Sequence, residues 1–298
     1  MSYEPTNEQW IDVDGVRTRY LDIGAGEPVL FFHGGHMGDP SGAESADIWN
    51  LNMPELSQHF RCIGVDRLGQ GFTDTPKMDD DYSMRGSINH AIGFMEELGA
   101  GPYHIVGHSR GGYVVAQITL QRPDLVKSCT LVSSNTAAPG PGRNEIVFAT
   151  NPHPPFSRER AWYSFEKYSF STAHVEPSWF EFRLKALTTD KYRHAAKRMM
   201  VDGLFETVFQ PELRRSREEM FARLERESIG RPMMMFWGVN DPTASIAQGY
   251  ELQRLIARHA FRCQMHVVNE AGHYSYREQP AAFNRVLRSF IEECRYGV

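Results

Sequence analysis

The sequence predicts an α/β protein: a mostly parallel sheet of eight strands, flanked by helices and interrupted by an inserted helical lid. Three observations predict it. First, apolar runs without polar alternation, at residues 28–32, 60–66 and 233–237, recur with helical stretches between them. A strand that is apolar on both faces is covered on both faces, as in a parallel sheet. Second, Asp14-Gly15 separates two alternating runs, so the chain begins as an antiparallel hairpin. Third, the strand–helix rhythm stops at Asn135 and resumes only at Pro232.

In order, residues 10–13 and 16–23 form the hairpin, and Pro28-Val29-Leu30-Phe31-Phe32 is a buried strand running into His33-Gly34-Gly35-His36. Residues 60–66 form the next buried strand and lead into Arg67-Leu68-Gly69-Gln70-Gly71. Residues 83–98 read as a helix, with Ser83 as its cap and Gly99 as its stop. Then come a strand at 103–106, a helix at 113–120 ending near Arg122-Pro123, and a strand at 128–133. The punctuation Pro139-Gly140-Pro141-Gly142 opens a segment of aromatic-rich helices, with Arg214, Arg215 and Arg217 on a solvated face. Buried strands return at 232–238 and 264–268, and a helix over 280–294 closes the chain. This divides the chain into a core, 1–136 with 229–298, and a lid, 137–228, set over the carboxyl edge where open α/β sheets bind ligands.

The 298 residues are 41% hydrophobic and 23% charged, which suits a globular chain with a sizeable core. A net charge of -5 argues against nucleic acid as a partner. The polar start lacks a signal-peptide layout, and no apolar run approaches the ~20 residues that cross a membrane. Cys62, Cys129, Cys263 and Cys294 are scattered without metal-ligand spacing and read as free thiols in a reducing compartment. The expectation is a cytoplasmic protein with a small-molecule substrate, without cofactor or metal. Nothing in the sequence sets the oligomeric state, and a homo-oligomer is allowed.

The chemistry centres on Gly107-His108-Ser109-Arg110-Gly111-Gly112, a Gly-x-Ser-x-Gly between a strand and a helix. So sharp a turn strains Ser109 and lifts its hydroxyl above the sheet edge, beside a helix N-terminus that favours a developing oxyanion. A serine becomes nucleophilic when a base takes its proton and a carboxylate orients that base. Asp241 follows the strand at 233–237, and His273 follows the next strand. The order Ser109, Asp241, His273 suits a catalytic triad over one sheet edge. Asp241 is also placed to cap a helix starting near Thr243, and His273 to bond backbone within its loop. The oxyanion donors are the N–H groups of Arg110 and Gly35, with His33 bracing the loop that carries Gly35.

At these residues the chain resembles the α/β-hydrolases. Within them it is similar to the carbon–carbon bond hydrolases of meta-ring-fission products, the 2-hydroxy-6-oxo-dienoates. That resemblance rests on residues 13–20, on Trp49 and Asn50, on Asp66 with Gly69 and Gly71, and on 269–284. It implies Arg183 as the anchor of a substrate carboxylate, a role that suits a bidentate guanidinium. Gly34, His36, His108, Trp162 and Tyr274 complete the expected substrate-binding set. Two departures point elsewhere: His108 stands where that family usually has asparagine, as in many esterases, and Tyr274 where it usually has tryptophan. Three readings follow. One is a carbon–carbon bond hydrolase, another a carboxylester hydrolase acting on monoesters of aromatic diacids, and the third a ligand receptor on the same fold.

Overall fold

Each strand of the single sheet is positioned by its neighbours' backbone hydrogen bonds, in the order β1-β2-β4-β3-β5-β6-β7-β8. In the computed structural model, which describes residues 3–141, 150–259 and 262–295, these are β1 (Glu8–Val13), β2 (Val16–Ile23), β3 (Pro28–Phe32), β4 (Arg61–Val65), β5 (Tyr103–His108), β6 (Val126–Val132), β7 (Met233–Gly238) and β8 (Cys263–Val268). The opening hairpin pairs Val13 with Val16, and both turn residues are left-handed, Asp14 at φ 51 and Gly15 at φ 74. The β2–β4 pair is also antiparallel, and all remaining pairs are parallel. The chain passes from β3 outward to β4 and returns to β5 on the other side of β3. The switch point therefore lies between β3 and β5, and it opens a crevice at their carboxyl ends.

Strands β3, β5 and β7 are buried along their whole length, as their unalternating apolar sequences require. The expectation of a buried strand at 264–268 is corrected: β8 is half-exposed, and exposed at Val267, because it is the last strand of the sheet. Its partner β7 covers one edge only.

Helix α1 (Met84–Leu98) starts where the Ser83 hydroxyl accepts the Gly86 N–H and stops at left-handed Gly99. Helix α2 (Arg110–Gln121) leaves directly from Ser109. Between β6 and β7 the described residues contain helices and no strand: α3 (Arg158–Tyr168), α4 (Pro177–Leu187), α5 (Asp190–Ala196) and α6 (Gln210–Leu224). Part of the expected lid, 142–149, lies outside the described residues. Helices α7 (Ile246–Ala257) and α8 (Pro280–Arg295) follow. The apolar core forms two layers, one on each side of the sheet, and the insert contributes to both.

The insert is fastened to the core by polar contacts. The Tyr192 hydroxyl donates to the carbonyls of Asp39 and Gly42, and the Trp179 indole donates to that of Asp47. Arg277 lies 3.8 Å from the centre of the Trp179 ring and donates to the His174 carbonyl. Arg217, expected on a solvated face, is half-buried and donates to the carbonyls of Thr136, Ala138 and Gly140. Capping these carbonyls gives its charge a use that helical periodicity alone does not suggest.

Candidate active site

Ser109 carries the backbone strain expected of it. Its φ of 52 and ψ of -122 lie where L-residues rarely go, at a cost of about 1–3 kcal/mol. Three hydrogen bonds hold it there: Ser109 N–H to the Val132 carbonyl, and Gly112 N–H and the Ser134 hydroxyl to the Ser109 carbonyl. The flanking glycines are required by space. A Cβ on Gly107 would lie 2.2 Å from the Gly111 carbonyl, and one on Gly111 would lie 2.5 Å from the carbonyls of Phe32 and His33.

Asp241 divides its carboxylate between two tasks. Oδ1 accepts the N–H groups of Thr243 and Ala244 and the Thr243 hydroxyl, at 2.8, 2.8 and 2.9 Å. Oδ2 faces Nδ1 of His273 at 2.8 Å, with both side chains buried. The helix cap considered for Asp241 belongs to Ser245, whose capping box with Gln248 starts α7. The His273 loop is held from two sides: its N–H donates to the Tyr168 carbonyl at 2.7 Å, and its carbonyl accepts from His108 Nε2 at 2.9 Å. Among the described residues no hydrogen bond joins the Ser109 hydroxyl to His273, although both line one cavity of about 40 Å³. Such contacts are often long before substrate binds.

Gly34, Gly35, His108, Arg110, Arg183 and Tyr274 line the same cavity. His108 donates from Nε2 to a carbonyl, which leaves Nδ1 bare, and burial beside His273 holds its pKa well below the usual imidazole range. It is a neutral wall, not a charge. His33 braces the loop: Nδ1 donates to the Gly34 carbonyl and Nε2 accepts the Arg67 N–H. Arg67 then donates through Nη1 to the carbonyls of His33, Gly34 and Gly35 at 3.0, 3.1 and 3.2 Å. Turning three successive carbonyls toward one guanidinium fixes the peptide planes that carry the N–H groups of this loop. Burial, followed by the charge of Arg110, pushes the Arg67 pKa down to about 9.

Two expectations are corrected. Trp162 does not line the cavity: α3 turns Ala161, Ser164, Phe165 and Tyr168 inward, leaving Trp162 half-exposed with its indole on Glu166. The face is set by the phase of the helix, and Trp162 is one position off it. His36 also stays out of the lining, because its Nδ1 donates to the Met37 carbonyl and its ring packs on Phe205 and Phe209. Arg183 does reach the cavity, but its Nη2 already donates to Glu44 at 2.7 Å.

Glu44 and Tyr168 line the cavity and Arg67 braces its loop, roles that the sequence pattern does not assign to them. Glu44 is a lone charge in the small-residue run Gly42-Ala43-Glu44-Ser45-Ala46, which is the one signal that marks it. Among the described residues no group of three His, Cys, Asp or Glu side chains could hold a metal ion, and no helix is long and apolar enough to cross a membrane.

The sequence matches the α/β hydrolase fold family over residues 27–280. It is 26% identical to a 2-hydroxymuconate semialdehyde hydrolase of a Pseudomonas species, over 94% of this chain and 92% of that protein. It is equally 26% identical to a 2-hydroxy-6-oxo-2,4-heptadienoate hydrolase of Pseudomonas putida, over 93% of each. Among solved structures, a meta-cleavage product hydrolase from Pseudomonas fluorescens superimposes with a TM-score of 0.77 at 25% identity, covering 96% of this chain and 97% of that one.

Proposed function

The chain belongs to the α/β hydrolase fold family, and from that premise we propose that it is a serine hydrolase that cleaves a carbon–carbon bond in a meta-ring-fission product. The observation that carries the serine chemistry is the buried Asp241–His273 pair, 2.8 Å apart, sharing a cavity with the strained Ser109. The carbon–carbon step is supported by relatives named for dienoate hydrolysis that align over almost the whole chain.

The proposed reaction begins with ketonisation. The 2-hydroxyl of the dienol loses its proton and carbon 5 gains one, with His273 serving the transfer. The Ser109 hydroxyl, or a water in its place, then gives its proton to His273 and adds to the 6-ketone. The resulting oxyanion is held by the N–H groups of Arg110 and Gly35. Its collapse breaks the bond between carbons 5 and 6, and the departing electron pair is accepted by the 2-keto group and reprotonated. If Ser109 has added, water activated by His273 frees the acid from the acyl-serine. Asp241 holds the imidazole in the tautomer that this sequence needs. Arg183 binds the carboxylate, and Arg67 holds the oxyanion loop rigid.

The carboxylester reading uses the same three residues and is favoured by two observations. His108 is a neutral wall beside Ser109, and the charge of Arg183 is already compensated by Glu44. Incubation with a yellow ring-fission product and with a nitrophenyl ester decides between them. Rapid bleaching of the dienoate with slow ester turnover supports carbon–carbon cleavage; the reverse overturns it.

A further inference from the structure

We propose that Thr243 is a positioning residue of the proton relay: its buried hydroxyl bridges Asp241 to His273 and holds the imidazole proton on Nδ1, which leaves Nε2 bare to accept the proton of Ser109. This deepens the proposed serine chemistry and rests on His273 being its base.

Thr243 Oγ1 lies 2.9 Å from Asp241 Oδ1 and 3.0 Å from His273 Nδ1, and the residue is wholly buried. Its backbone fixes its place: the N–H donates to Asp241 Oδ1 at 2.8 Å, and the carbonyl accepts the Asn135 side-chain amide at 3.2 Å. One assignment of hydrogens satisfies the hydroxyl, the carboxylate and the imidazole together. A carboxylate only accepts, so the proton between Asp241 Oδ2 and His273 Nδ1, 2.8 Å apart, belongs to the imidazole. The hydroxyl then sends its hydrogen to Oδ1, and its oxygen takes a share of the Nδ1–H. Donation to a carboxylate polarises the hydroxyl and makes its oxygen a better acceptor. With the proton on Nε2 instead, Oδ2 would face the bare lone pair of Nδ1.

The bridge matters most once His273 has taken a proton, because an imidazolium is the stronger donor. The rings packed on the imidazole are His108 at 4.7 Å, Tyr168 at 5.5 Å and Tyr274 at 5.9 Å. Burial keeps His108 and Tyr274 neutral, holding the pKa of the first well down and that of the second up. Glu278 is committed to the N–H groups of Gly272, Phe170 and Ser171, and Arg110 and Arg183 bring only donors to the shared cavity. Among the described residues, Asp241 Oδ2 and Thr243 Oγ1 are therefore the two acceptors at Nδ1. The hydroxyl favours the charged ring over the neutral one, and with it the transfer of the serine proton.

Thr243→Val removes the hydroxyl and keeps the shape, whereas Thr243→Ser keeps the hydroxyl and removes a methyl. The first measurement needs no substrate. The His273 ring signals, identified in NMR spectra by their absence from His273→Gln, are titrated with pH in the parent and in both variants. Losing one acceptor of a charged donor is expected to lower the titration midpoint by about 0.5–1 pH unit in Thr243→Val and to leave it nearly unmoved in Thr243→Ser. In turnover, Thr243→Val is expected to lower kcat by about tenfold with KM changed less than about twofold, and Thr243→Ser to keep about half of kcat or more. An unmoved midpoint in Thr243→Val would overturn the proposal. So would a fall in Thr243→Ser as large as in Thr243→Val, which would mark lost packing instead of a lost hydroxyl. If Thr243→Val fails to fold, Thr243→Ala takes its place in both measurements. A lowered midpoint in a protein that turns over neither dienoate nor ester would refute the hydrolase reading and leave this assignment standing; turnover that depends on Ser109, with an unmoved midpoint, would do the opposite.

Discussion

Replacing Asp241 with asparagine changes one atom, and the surroundings determine where that atom goes. The Oδ1 position accepts two backbone N–H groups, from Thr243 and Ala244, both at 2.8 Å. An amide NH₂ placed there would face two donors, at a cost of about 1–3 kcal/mol for each unsatisfied group. The asparagine therefore keeps its oxygen at Oδ1 and turns its NH₂ toward His273 Nδ1, 2.8 Å from the present Oδ2. The imidazole then accepts at Nδ1 and carries its proton on Nε2, where it cannot take one from Ser109. Shape and burial are nearly unchanged, so the fold should persist. A wrong-tautomer imidazole lowers kcat by about 10⁴-fold, equivalent to about 5 kcal/mol of barrier. The assay is steady-state turnover of the dienoate or the ester, with circular dichroism and thermal denaturation as controls on folding. A well-folded Asp241→Asn protein that loses less than tenfold in kcat would refute the reasoning.

Other outcomes follow from the same contacts. Arg183→Ala should raise KM for carboxylate substrates by about 30-fold, corresponding to about 2 kcal/mol of charge-assisted hydrogen bonding, and raise it less for neutral esters. Equal effects on both would remove the anchor. Arg67→Met should lower kcat by about 10- to 100-fold with a smaller change in KM, because the loop carrying one oxyanion donor loses its brace; an unchanged kcat in a folded protein contradicts this. His90 is buried, its Nε2 2.9 Å from the Thr18 hydroxyl, and burial pushes its pKa down to about 4. As pH falls below about 6.5 the unfolded chain takes up a proton that the folded chain refuses, so this residue's contribution to stability declines with acidification. Urea denaturation of His90→Gln should show about 2 kcal/mol less loss between pH 7.5 and pH 5 than the parent, and an identical loss would exclude His90 as a source.

What could be read from the sequence was governed by short-range geometry. Asp14-Gly15 announces its hairpin because few residues accept left-handed backbone, and Ser83 with Gly99 announces both ends of α1. The elbow at Ser109 is readable because Gly107 and Gly111 are required by contacts within a few residues and by the neighbouring strand. What escaped was long-range. Whether β8 is buried depends on which strands flank it, and the exposure of Trp162 depends on how α3 is rotated over the sheet. The pairing of Glu44 with Arg183 spans 139 positions, and no local pattern could have joined them. The clamp of Arg67 on three carbonyls is likewise a property of two loops brought together by β3 and β4.

Intact-protein mass spectrometry after treatment with a fluorophosphonate tests most directly whether Ser109 is an activated nucleophile. The account predicts a single stoichiometric adduct that maps to Ser109, is absent from Ser109→Ala and is strongly slowed in Asp241→Asn. An adduct on another residue, or none in a protein that still hydrolyses substrate, would contradict it.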